Sequence, residues 1–111
     1  MDIGDQDLKR DSGKPPMQLL PMRALTIVSQ VLAHGAGKYK PHGWRRGMEW
    51  SRLIGGVLRH FCAWAEGEDK DPETGLSHLA HAACGVLFLL EYELTGKGVD
   101  DRYINSEHKE Q

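Results

Sequence analysis

His78 and His81 stand three residues apart in the run S-H-L-A-H-A. On a helix this spacing puts both imidazoles on one face, about one turn apart. Two such groups can reach the same small object, as the Glu-x-x-His pairs of helical di-metal proteins do. Both fall in the first turns of a predicted helix, where the positive end of the dipole disfavours a charged imidazolium. The neutral form binds a metal or accepts a proton. A third histidine, His60, shares a helical stripe with Leu53, Val57 and Trp64, so it is expected to point inward. Between His60 and the pair lies the acidic run E-G-E-D-K-D-P-E-T-G. Its Glu68, Asp69 and Asp71 offer the hard oxygen atoms that Mg²⁺ or Mn²⁺ prefers.

Each residue also has a plain reading. Asp71 and Glu73 can be the acidic starters of the next helix, Glu66 a solvated helix end, and the histidines caps or partly buried side chains with hydrogen-bond partners. For a lone histidine the plain reading wins. For a pair facing an acidic loop and an inward His60, the functional reading is favoured. The candidate catalytic groups are therefore His60, His78 and His81, and the candidate metal ligands Glu68, Asp69 and Asp71.

Other chemistries lack their residues. H-E-x-x-H and cysteine clusters are absent, which weakens a zinc-protease type of site. No His-Asp dipeptide, G-x-S-x-G or G-x-x-x-x-G-K-[ST] occurs. The economical chemistry is metal-assisted attack of water on a phosphoanhydride, with a histidine as base.

The elements that must position these groups read as helices. Pro21 can open the first, which carries Ala24, Leu25, Val28, Val31 and Leu32 at helical spacing and is expected to stop at Gly35 and Gly37. The second is predicted over 49–66. Its apolar residues cover more than half the circumference, so it is expected to be the central helix, with Gly55 and Gly56 allowing another helix close. The third is predicted from 76 or 77 to 94 and ends at Gly96. Between the first two lies G-A-G-K-Y-K-P-H-G-W-R-R-G-M, where Lys38, Lys40, Arg45 and Arg46 interleave with Tyr39 and Trp44. That mixture suits a nucleotide, with cations for phosphates and flat rings for a base. It equally suits an exposed basic loop anchored by its aromatics. Lys14, before Pro15 and Pro16, sits on a stiff strap.

No strand-like alternation is found, and the expected fold is an all-α bundle of three to four helices, with a short fourth near 99–108. Residues 1–13 read as a mobile arm, 14–98 as the domain and 99–111 as a polar tail. The length of 111 residues fits one domain. A net charge of −2 gives no basic footprint for binding DNA directly. No apolar run reaches the length of a membrane span, and the polar N-terminus is unlike a signal peptide, which points to the cytoplasm. Cys62 and Cys84 read as small buried hydrophobes.

The chain resembles the phage and bacterial dATP/dGTP diphosphohydrolases, which are linked to the all-α nucleotide pyrophosphohydrolases of the MazG and HisE type. The resemblance rests on K-P at 14–15, L-L-P at 19–21, G-A-G-K-Y at 35–39, W-R-R-G at 44–47 and above all R-H-F-C-A-W-A-E-G-E-D-K-D-P-E-T-G-L-S-H-L-A-H-A at 59–82. It implies a MazG-like fold and hydrolysis of a purine deoxynucleoside triphosphate to the monophosphate and pyrophosphate with Mg²⁺ or Mn²⁺. It also implies a homo-oligomer, a dimer or tetramer. In that frame Lys38 and Lys14 would hold the triphosphate, while Tyr39, Trp44 and Trp64 would wall the base. The chain departs from the wider fold's E-x-x-E and E-x-x-D metal motifs, having His78-x-x-His81 instead, and has Gly43 and Gly85 where asparagine is expected. Two alternatives stay open: a non-catalytic helical regulatory or interaction module, and a nucleotide phosphohydrolase with a different product.

Overall fold

The computed structural model describes residues 12–38 and 40–104; of Lys38 only the backbone is described. The fold is all-α. Three helices follow in order: α1 (Met22–Lys38), α2 (Trp50–Ala65) and α3 (His78–Thr95). Short 3₁₀ turns at Met17–Leu19 and Gly43–Arg46 precede α1 and α2. Among the described residues there is no strand, only isolated bridges between Glu49 and Val99 and between Lys70 and Ser77. The short fourth helix is not seen over 99–104, and 105–108 lie outside the described residues.

Two boundaries differ from expectation. First, α1 runs through Gly35 and Gly37 to Lys38. A helical glycine costs only about 1 kcal/mol relative to alanine; Pro41 and the restriction it places on Lys40 supply the harder stop. Second, Asp71 does not start α3. Its Oδ1 accepts from the Glu73 and Thr74 amides at 2.7 and 3.3 Å, closing a turn of its own. The N-cap is Ser77, whose hydroxyl accepts from the Leu79 amide.

The central helix is α3, not α2. It packs on both α1 and α2, and His78, Ala80, Ala82, Cys84 and Tyr92 along it are buried. Val28 of α1 joins Ala80 and Cys84 in the core, with Ile27, Val31, Ala83 and Phe88 around them. The physical reason lies in L-A-H-A-A-C-G-V-L-F-L-L, which is apolar all round and so can be flanked on two sides. Helix α2 buries one side against α3 and leaves Leu58, Phe61 and Trp64 exposed.

The close approach of helices is not at Gly55 or Gly56, where an added Cβ would meet only the Arg59 guanidinium. It is at Gly85 of α3, where a Cβ would lie 2.6 Å from Val57 Cγ2. A second backbone contact ties the far ends together. Gly47 and Gly98, both at positive φ, face each other so closely that a Cβ on Gly47 would sit 2.4 Å from the Gly98 nitrogen. Around them the Trp50 amide donates to the Val99 carbonyl, and the Ser51 amide and hydroxyl donate to Asp101. The polar tail thus begins, over 99–104, as a segment fastened to the start of α2. Of the arm expected over 1–13, all but Ser12 and Gly13 lie outside the described residues.

Candidate active site

The α2–α3 contact brings His60 beside the first turn of α3. His60 Nδ1 lies 2.9 Å from His78 Nδ1. The His60 ring stacks on His81, with centroids 4.5 Å apart and planes 8° apart. The spacing of His78 and His81 had placed them on one face; the helix crossing adds His60 to that face.

The loop between α2 and α3 closes the other side. Its turn at Asp71 leaves Oδ2 facing His60 Nδ1 at 3.7 Å. Glu68 Oε1 lies 2.6 Å from His78 Nε2. The loop is held against α3 by backbone bonds: the His78 amide donates to the Asp69 carbonyl, and the Asp71 amide to the Leu76 carbonyl. Asp69 therefore contributes its backbone; its carboxylate makes no hydrogen bond or ion pair among the described residues. One ligand atom from each of His60, Asp71 and His78 lies within 4.8 Å of the others, a spacing open to one metal ion. Glu68 reaches this trio only through His78, and Asp69 not at all.

The electrostatics favour the ligating form of His60, His81 and Asp71. Burial lowers the pKa of His60, and the neighbouring His81 lowers it further, outweighing Asp71. His81 is lowered mainly by burial too, against the pull of Asp71. For Asp71, burial acts to raise the carboxyl, but the Glu73 and Thr74 amides and the nearby histidines prevail and hold it below the ordinary carboxylate value. A carboxylate facing uncharged imidazoles is the donor set a divalent cation takes.

Thr74 was not singled out by the sequence. Its hydroxyl lies 2.7 Å from His81 Nε2 and accepts from the Leu76 amide, so it orients the third imidazole. The signal was present in D-P-E-T-G, an Asp-initiated turn that directs the residue three positions on.

The proposed nucleotide contacts are not all gathered here. Trp44 stacks on Phe88, centroids 4.2 Å apart, and its carbonyl accepts from the Tyr92 hydroxyl. Phe88 is ten residues beyond His78, roughly 15 Å along the helix. Arg45 lies over the Trp44 ring and donates to His42 Nδ1. Trp64 is one turn beyond His60 on α2 and half-exposed beside Phe61. Lys14 is exposed, without a hydrogen bond or ion pair among the described residues. Tyr39 and the side chain of Lys38 lie outside the described residues.

Residues 4–102 match the family model described as dATP/dGTP diphosphohydrolase, N-terminal. The chain belongs to this dATP/dGTP diphosphohydrolase family. A dATP/dGTP diphosphohydrolase of Salmonella phage PMBT28 is 42% identical over 82 residues, which cover 74% of this chain and 28% of the relative. The chain thus spans less than a third of the length of that curated family member. No solved structure matches. Over its described residues, this family member is a three-helix unit whose histidines and acidic loop meet at one end of α3.

Proposed function

We propose that this unit hydrolyses purine deoxynucleoside triphosphates, dATP or dGTP, to the monophosphate and pyrophosphate in the cytoplasm, with Mg²⁺ or Mn²⁺ at the histidine–carboxylate cluster. The observation that carries the reading is the meeting of His60, His78 and Asp71 within ligand distance, in a chain of the dATP/dGTP diphosphohydrolase family. The printed activity of the Salmonella phage relative supports the substrate class.

The residues divide the work as follows. His60, His78 and Asp71 hold the ion, and Glu68 supports His78. A divalent ion there supplies charge neutralisation for the phosphate oxygens. His81, kept uncharged by its burial, accepts the proton of the attacking water. The water oxygen bonds to one phosphorus of the α–β anhydride as the bridging P–O bond breaks, giving the monophosphate and pyrophosphate. Trp64, one turn beyond His60 on α2 and exposed, stacks a base. Lys14 and Lys38 hold the triphosphate, and Tyr39 helps to wall the base.

The unit works as a homo-oligomer. Leu58, Phe61 and Trp64 on α2 and Val86, Leu90 and Leu94 on α3 are exposed apolar side chains at helical spacing. An apolar surface of this kind favours an interface. Light scattering that gives a monomer mass would contradict this part.

The activity is tested by incubating the chain with each dNTP and NTP and Mg²⁺ or Mn²⁺, with and without chelator, and separating the products. Pyrophosphate with dAMP or dGMP, lost on chelation, is expected. Orthophosphate or triphosphate as product would replace the reaction. No turnover with any nucleotide would favour a non-catalytic interaction module.

A further inference from the structure

We propose that His60 Nδ1, His78 Nδ1 and Asp71 Oδ2 form a mixed nitrogen–oxygen site selective for a first-row transition ion (Mn²⁺, Co²⁺ or Zn²⁺) over Mg²⁺, and that Glu68 is the outer partner of His78, not a ligand. The ion's role in hydrolysis rests on the function proposed above; its binding does not.

Three observations carry this. The first is donor chemistry. Imidazole nitrogen suits transition ions, whereas Mg²⁺ takes oxygen and keeps its waters. Two of the three converging atoms are nitrogens. The second is spacing. Ligands about 2.1 Å from an ion stand roughly 3.0–3.4 Å apart in octahedral or tetrahedral order. The 2.9 Å between the two nitrogens and the 3.7 Å from His60 Nδ1 to Asp71 Oδ2 lie close to that range, and all three ligand atoms fall within 4.8 Å of one another.

The third is the proton arrangement. Ionised Glu68 can only accept, so at 2.6 Å it takes the Nε2 hydrogen of His78. With Nε2 engaged by Glu68, the other ring nitrogen of His78, Nδ1, faces the centre. This is the carboxylate–histidine–metal arrangement, in which the outer carboxylate fixes the tautomer and raises the ligand's basicity.

The site is also held in place before any ion arrives. The His78 side chain is 6% exposed, that of Asp71 15% and that of His60 25%. The second oxygen of Asp71 is engaged by the Glu73 and Thr74 amides, which aims Oδ2 at His60. Three protein ligands leave coordination positions open for water or phosphate, as catalytic sites require.

The test is direct titration of the chain with Co²⁺, followed by visible absorption, and competition by Zn²⁺, Mn²⁺ and Mg²⁺, without nucleotide. One equivalent of Co²⁺ with a ligand-field spectrum is expected, displaced by Zn²⁺ and not by a hundredfold excess of Mg²⁺. Asp71→Asn keeps an oxygen for the Glu73 amide, so the turn survives; it and His60→Ala should weaken binding by more than about 100-fold. Glu68→Gln should weaken it by about 10–100-fold, the usual cost of an outer partner. Circular dichroism checks that each variant is folded. Absence of a Co²⁺ site in the folded wild type, ready displacement by Mg²⁺, or unchanged affinity in Asp71→Asn or His60→Ala would overturn the site. A Glu68→Gln loss as large as that of Asp71→Asn, or no loss, would overturn the role given to Glu68. Tight Co²⁺ binding without nucleotide turnover would refute the hydrolase reading and leave the site standing. Mg²⁺-supported turnover without a Co²⁺ site would do the reverse.

Discussion

The crossing that sets His60 beside His78 depends on one missing side chain. Gly85→Ala places a Cβ 2.6 Å from Val57 Cγ2, about 1 Å inside ordinary carbon–carbon contact of roughly 3.5–4.0 Å. Val57 cannot turn away cheaply, because a β-branched residue in a helix holds essentially one rotamer. Forcing an extra methyl into such a contact costs about 1–3 kcal/mol. Against this, alanine gains about 1 kcal/mol over glycine in a helix. The net is a loss of about 0–2 kcal/mol, and each 1 kcal/mol lowers Tm by about 4–8 °C in a domain of this size. The decisive comparison is with Val57→Ala. In that background the obstructing methyl is gone, and Gly85→Ala should instead stabilise by about 1 kcal/mol. Urea denaturation of the four proteins should give a coupling of about 1–3 kcal/mol between the two positions. If Gly85→Ala stabilises equally in both backgrounds, the helices do not meet there, and the placement of His60 fails with it.

Three further outcomes follow from local contacts. Ser77→Ala removes the side-chain acceptor for the Leu79 amide at the start of α3 and should cost about 1 kcal/mol in denaturation. Tyr92→Phe leaves the Trp44 carbonyl without its buried donor and should cost about 1 kcal/mol, visible as a lower Tm, with Trp44 fluorescence changed. Burial pushes the Cys84 thiol up to about 11, whereas Cys62 is exposed. A thiol reagent at pH 8 should therefore modify one cysteine quickly, the second reacting only in denaturant or as the pH nears 11. Two fast thiols would contradict the packing of α3 against α1.

The sequence carried the helices and the histidine pair because both depend on spacing along one element. His78 and His81 needed only a helical register, and Leu53, Val57 and Trp64 were enough to turn His60 inward. What joins two elements was less legible. The engagement of His78 Nε2 by Glu68 spans a ten-residue separation and a loop whose path is set by the turn at Asp71 and by the Asp69 carbonyl. Nothing in E-D-K-D-P-E ranks one carboxylate above the next until that path is known. The wide apolar cover of α2 suggests the central helix, yet α3 takes that place, because Leu58, Phe61 and Trp64 of α2 face outward. Gly85 looked like a departure from a family asparagine; in this chain it is where Val57 fits. Trp44 matched a base-stacking residue by type, yet its ring is spent on Phe88 and Tyr92.

The central claim is that the cluster of His60, His78 and Asp71 is the reactive centre. Asp71→Asn tests it most directly, because it removes one charge and keeps the turn. Rates of dATP and dGTP hydrolysis should be measured for wild type and variant under the same saturating metal, with circular dichroism and Tm alongside. A fall of about 100-fold or more at unchanged fold is predicted, at least the upper end of what losing an outer partner costs. Hydrolysis of either nucleotide at the wild-type rate by the folded variant would place the chemistry elsewhere in the molecule.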